Sequence, residues 1–329
     1  MLASTPFAQA AGDLAGTGDA VADTGPIKDL ETLVVTGVQP GPGLWRVSHE
    51  GNVLWILGTV SPLPAKMEWE SAEVEAVIAD SQQVLLPPSV TMTADIGLFR
   101  SLALAPSALK AMRNADGATL ADVLPPALHA RWQVQKQRYL DGGKSIERKR
   151  PLFAAAELQA AAIKSAGLGG KPVVMPVVER AAKAAGITPT STTLKLTLED
   201  PKSAIREFRG GDIDDTPCLE KPLALVERDL PKLVVRANAW AVGDKDALRR
   251  LPYESAAETC MEVVTHSAFG RNRGYGDVRE RGRHHWLSIA ETALRKNRQT
   301  FALLPVDGLL AVDGYLSLLQ ERGYEIESP

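Results

Sequence analysis

Aromatic residues are scarce, at 5% of the chain, so a core has to be filled by aliphatic side chains, and Ala and Leu are plentiful enough to pack helices. Cysteine is scarcer still. Cys218 and Cys260 are the whole supply, which excludes a framework of several disulfides. There is no surplus of positive charge: the net charge is −3 and the isoelectric point about 6.0, so no global basic field exists to hold a nucleic-acid backbone. No run of 18 apolar residues occurs, which argues against a transmembrane helix. No repeat period is visible, so a solenoid is not expected. The five histidines do not cluster: His49, His129 and His266 stand alone, and the adjacent His284 and His285 point to different faces of a helix. Neither a nucleophile elbow nor a Ser/His/Asp spacing is present.

What is there is a globular balance, 45% hydrophobic and 23% charged over 329 residues, enough for one large domain or two small ones. The uncharged start ends in Ala8-Gln9-Ala10, a small-x-small pattern like the end of a secretory signal. The basic and apolar parts of such a signal are missing, so the signal looks truncated, and the expected location is periplasmic or surface-associated. Residues 1–29 therefore read as a signal remnant followed by a disordered linker, and residues 30–42 as an extended arm. Under export the two cysteines are expected to pair; in a reducing compartment they would be two buried thiols.

The folded body begins at residue 43. Leu44 to Ser48 alternates as a half-exposed strand does, Gly51-Asn52 makes a hairpin turn, and Val53 to Leu57 is a buried strand. A helix over 68–80 and a short strand Val84 to Leu86, stopped by Pro87-Pro88, complete an α/β unit. The stretch from about 95 to 240 reads as mostly helical, with a strand over Thr190 to Leu198. The end mirrors the start: a helix over 280–296, a buried strand Thr300 to Leu304, a loop over Pro305 to Val312, a helix carrying Tyr315 and Leu319, and a last strand at Tyr324. The fold class is therefore α/β, with the two terminal units sharing a sheet and a large helical insertion between them.

Several polar segments invite a chemical reading and fail it. Gly167 to Pro172 lacks the spacing of a phosphate loop and reads as the end of a helix. Asp212 to Asp215 lacks the glycine and ligand spacing of a calcium loop and reads as a solvated acidic turn. Lys144 to Arg150 reads as a solvated basic loop. The basic run from Arg271 to Arg283 offers either a solvated helix face or an anion contact.

Five stretches, taken in order, resemble the TraB/GumN family, whose fold is shared with the TIKI metalloproteases. They are Gly43 to Val47 with Val53 to Ser61, Ala76 to Leu86, Trp240 to Asp244, Glu280 to Trp286, and Phe301 to Tyr324. The resemblance covers residues 43–329. It implies two Gly-x-x-His motifs and a carboxylate that gather a divalent metal for hydrolysis. The first motif falls on Gly58 to Ser61, with Ser61 in place of histidine. The second falls on Pro305 to Gly308, with both its glycine and its histidine replaced. Pro87 stands where the carboxylate is expected, and of an Arg-Asn pair only Arg281 remains. A hydroxyl is a poor neutral ligand beside imidazole, and proline and glycine offer no side-chain donor. Asp307 is the one ligand type left, and a three-ligand catalytic site needs more.

The expected function is thus that of a non-catalytic, envelope-associated relative with a degenerate metal site at Gly58, Ser61, Pro87, Pro305, Asp307 and Gly308. It would bind an unidentified ligand or partner with Arg281 as a contact, and use neither cofactor nor metal. The alternative is a divalent-metal hydrolase or peptidase with rebuilt ligands. Asp29 to Gly37 resembles the box by which outer-membrane transporters add a strand to a partner sheet, and is a candidate contact for an envelope protein.

Overall fold

The computed structural model describes residues 41–329 apart from 95, 170, 171, 211 and 212. The signal-like start, the linker, most of the arm and the segment Asp29 to Gly37 lie outside the described residues.

Strands β1 (Leu44–His49) and β2 (Asn52–Thr59) form a hairpin with Leu44 opposite Leu57 and His49 opposite Asn52. Its two-residue turn is Glu50-Gly51, one residue earlier than the pattern suggests. Both residues take positive φ, 49° and 85°, as the twist of such a turn requires. Asn52 instead starts β2 and donates its side-chain amide to the Leu294 carbonyl at 2.7 Å. Helix α1 (Ala72–Ala79) then leads to β3 (Gln83–Leu85). An unexpected strand follows the two prolines: β4 (Ser89–Thr93) pairs in parallel with β5 (Thr193–Thr197) as a separate ribbon.

The main sheet has the order β3-β6-β2-β1-β7, with β6 at Gln299–Pro305 and β7 at Glu325–Glu327. Strands β3, β6 and β2 are mutually parallel, and β1 is antiparallel to both its neighbours. The terminal units do share one sheet. Its centre is buried from Thr300 to Leu304 and at Leu54, Ile56 and Leu57, which accounts for the continuous apolar runs there.

Between β4 and β6 the chain is helical: α2 (Leu98–Ala111), α3 (Leu120–Val123), α4 (Pro126–Tyr139), α5 (Pro151–Ser165), α6 (Met175–Ala184), α7 (Pro201–Gly210), α8 (Thr216–Ala224), α9 (Leu230–Ala241), α10 (Lys245–Arg250), α11 (Ala256–His266), α12 (Ala268–Asn272) and α13 (Val278–Lys296). Proline sits in the first turn of α4, α5, α6, α8 and α9, where its missing N–H goes unused. A short π-helical stretch, Leu225–Asp229, joins α8 to α9.

These helices divide between two cores. α6, α9 and α13 pack on the sheet through residues such as Val178, Trp240 and Trp286. α3, α4, α5 and α8 enclose a second cluster around Trp132, Leu158 and Leu219. After β6 the expected loop is a helical turn, α14 (Val306–Leu310), followed by α15 (Tyr315–Glu321).

Candidate functional site

In α/β sheets, ligand sites gather beyond the carboxyl ends of parallel strands. β3, β6 and β2 end at the same edge, with Thr59 opposite Pro305 and Leu85 opposite Ala302. Ser61 follows β2 by two residues and is exposed. Pro87 follows β3 by two and is half-buried. Asp307 and Gly308 form the first turn of α14, directly after β6. All four therefore lie past the ends of three adjacent parallel strands.

Gly58 is enclosed at the end of β2. A Cβ there would stand 2.8 Å from the Trp45 ring and 3.2 Å from Leu309, so only glycine fits. Its carbonyl accepts a 2.7 Å hydrogen bond from the buried Trp240 indole. One helical turn earlier on the same face of α9, Arg236 reaches the other motif. Its guanidinium is only 2% exposed; Nη2 donates to Asp307 Oδ2 at 2.6 Å and Nη1 to the Leu251 carbonyl at 2.6 Å. The Tyr253 backbone N–H adds a weaker contact to Asp307 Oδ1 at 3.4 Å. Burial pushes the Asp307 carboxyl above the usual carboxylate range, and Arg236 and the Tyr253 N–H offset only part of that. α9 thus ties both motif loops together, through residues four apart in sequence.

Gly308 stands where the second histidine is expected, and its side-chain space is taken. A Cβ there would lie 3.1 Å from Cε2 and 3.3 Å from Cδ2 of Tyr315. The Tyr315 ring stands edge-on to Trp286, 5.0 Å between centroids, and burial pushes its phenol up to about 12. Near Pro87, the Thr192 hydroxyl is 2.9 Å from both the Leu86 and Pro87 carbonyls. An open groove of about 570 Å³ runs along this side, lined by Leu86, Glu179, Lys183, Ile187 and Pro189. Among the described residues, no group of three His, Cys, Asp or Glu side chains is placed to hold a metal ion.

Arg281 is at the N-terminal end of α13, half-exposed, 3.6 Å from Asp277 and donating to the Gly274 carbonyl at 3.2 Å. The arginine in contact with Asp307 is Arg236, which the sequence reading did not single out. Its only signal was the four-residue spacing to Trp240.

Three other expectations meet a definite outcome. Cys218 on α8 and Cys260 on α11 are neighbours, 2.7 Å apart, but both are free thiols and no disulfide joins them. The hydrogen bond to Cys260 and then burial push the Cys218 thiol well up. The supposedly solvated acidic turn and basic loop meet inside the protein: Arg150 Nε donates to Asp215 Oδ2 at 3.0 Å with both residues buried. The rest of the Arg150 guanidinium bonds the Phe208 and Ile213 carbonyls. Glu147, in the same basic loop, accepts from Trp132, Gln133 and Lys136 on one oxygen.

The chain is a mixed α/β protein whose parallel strands β3, β6 and β2 run into turns at their carboxyl ends, where α/β sheets commonly carry ligand sites. The model of the TraB/PrgY/gumN family matches residues 43–328, and the chain belongs to that family. No curated protein and no solved structure matches it.

Proposed function

We propose that this protein is a non-catalytic member of the TraB/PrgY/gumN family, acting in the cell envelope by binding rather than by hydrolysis. The observation that carries the reading is the engagement of Asp307 by the enclosed Arg236 at 2.6 Å. A divalent cation on Asp307 would sit beside a guanidinium that cannot lose its proton or reach water. The neighbouring donors do not fit a metal either. Ser61 offers a neutral hydroxyl, Pro87 and Gly308 offer no side-chain donor, and the space of a residue-308 side chain is held by Tyr315. The groove beside β3, with Glu179 and Lys183 on its wall, is the surface we assign to a ligand.

In an oxidising compartment the adjacent thiols of Cys218 and Cys260 would close into a disulfide, consistent with an exported protein. Elemental analysis of the purified protein, with turnover of a peptide library in added zinc, manganese or cobalt, tests the reading. The expected result is substoichiometric metal and no cleavage. Stoichiometric metal with cleavage would establish the rebuilt-ligand hydrolase instead. Fractionation of native cells that placed the protein in the cytoplasm alone would remove the envelope assignment.

A further inference from the structure

The helix α2 breaks the usual rule for an amphipathic helix. Its inward side is narrow: Ala111 is buried, Leu104 is half-buried, and the helix packs against α7. The opposite side carries Leu98, Phe99, Leu102 and Leu109, which are 71%, 88%, 62% and 64% exposed. At 100° per residue, Leu98, Leu102 and Leu109 fall within about 40° of one another, and Phe99 flanks them. Scattered exposed leucines are ordinary on a protein surface, but a continuous stripe along a 14-residue helix is not. None of these residues belongs to the vacated site.

Charge narrows the occupant. From Asp95 to Asp116 the chain carries Arg100, Lys110 and Arg113 against the two bounding aspartates, a local excess of one positive charge in a protein that is net negative at −3. Lys110 lies beside Phe99 on the helix surface and the exposed Arg113 follows the helix end, whereas Arg100 falls on the side that faces α7. An apolar stripe with cations at its C-terminal end complements an anionic lipid surface. Geometry agrees. Fourteen residues give about 21 Å of helix, too short to cross a hydrocarbon core of about 30 Å but suited to lying along its boundary. Pro106, inside the helix, leaves the Leu102 carbonyl without its backbone partner, which headgroup water can supply at that depth. A second copy fits less well. Two such helices crossing face to face would cover at most a few hundred Å² each, against about 800 Å² per partner in a standard stable interface.

We propose that α2 is a monotopic membrane-docking helix, laying Leu98, Phe99, Leu102 and Leu109 into the interface of an anionic bilayer with Lys110 and Arg113 among the headgroups. The test is flotation of the full chain with vesicles of phosphatidylcholine alone or with about 30% phosphatidylglycerol. The protein is expected to float with the anionic vesicles and to release as salt is raised. Phe99→Glu and Leu102→Glu each lower the partition coefficient at least tenfold. Lys110→Glu/Arg113→Glu lowers it on anionic vesicles only. All these side chains are exposed, so circular dichroism and melting temperature should match the parent. A parent chain that stays unbound, or a Phe99→Glu variant that floats equally well, overturns the proposal. So does a dimer in light scattering that Phe99→Glu splits, which would assign the stripe to a second copy. Flotation that appears only after removal of residues 1–40 would assign it to the chain's own N-terminal segment.

Discussion

Arg236 and Asp307 form an ion pair with unequal partners. The arginine is wholly enclosed, whereas the Asp307 side chain is 37% exposed. Burial raises the Asp307 pKa despite the facing guanidinium, so the ionised carboxyl gains less from Arg236 than it loses in hydration. A carboxyl raised in the folded state contributes stability below its unfolded pKa of about 4, and that contribution is lost as pH rises through the folded value. Asp307→Asn should therefore be mild, within about 1 kcal/mol, because a neutral amide still accepts from Arg236. Arg236→Met should cost about 2–3 kcal/mol at neutral pH and less near pH 5, where the unpaired carboxyl takes up a proton. Urea unfolding at the two pH values checks both; a larger loss in Asp307→Asn would mean the carboxylate is the supporting partner. The neighbouring position gives a second asymmetry. Ser61→His places an imidazole on an exposed residue and should be neutral, whereas Gly308→His drives a side chain into the Tyr315 ring and should cost about 1–3 kcal/mol. The double variant should still not bind zinc in a calorimetric titration, since Arg236 remains; tight binding would show that Arg236 does not keep a metal off Asp307.

At the scale of elements, periodicity made the sheet legible and long-range pairing hid the rest. β2 and β6 are continuous apolar runs because their central residues are buried on both faces of the sheet, and the hairpin turn was visible to within one residue. β4 was not visible. Two prolines close the preceding strand, and Ser89 to Thr93 alternates weakly because most of it faces solvent. The turn of α14 was read as a loop because five residues are too few to show a helical period. Arg150 and Asp215 were read as solvated because composition says nothing about a partner 65 positions away. α9 is where the candidate site escaped the sequence: its motif tryptophan was noticed, but its arginine had no marked neighbour until Asp307 was placed opposite. The cysteines show the reverse, since the expected two residues meet but no disulfide joins them. Closing the link between α8 and α11, 42 positions apart, should stabilise the chain by about 4 kcal/mol in the loop-entropy picture. Non-reducing mass spectrometry of protein from its native compartment checks the bond; two alkylatable thiols there would exclude it.

The whole molecule carries two cores of different character. The apolar cluster on the sheet has Asp307 at its margin, and that carboxyl is raised, so its contribution is lost as pH rises and not in acid. The helical core around Trp132 includes Glu147, whose Oε1 accepts from Lys136 at 2.6 Å and from Trp132 and Gln133 at 3.0 Å. Burial pushes that carboxyl up, but the hydrogen bonds and the Lys136 charge together outweigh it and hold it below the usual glutamate range. A lowered carboxyl contributes stability above its unfolded pKa of about 4.3, and that contribution is lost as pH falls through the folded value. Acid should therefore loosen the helical core first. Hydrogen exchange followed by mass spectrometry from pH 5 to 3, corrected for intrinsic rates, should show α4 and α5 losing protection while β2 and β6 keep theirs. Glu147→Gln should cost about 1–2 kcal/mol at neutral pH, because the amide keeps some of the bonds but not the pairing with Lys136. The same substitution should remove most of the acid dependence of α4 and α5. If both cores lose protection together at every pH, they unfold as one unit and Glu147 is not where acid acts. If α4 and α5 loosen alone but do so equally in Glu147→Gln, the acid-sensitive group of the helical core is not Glu147.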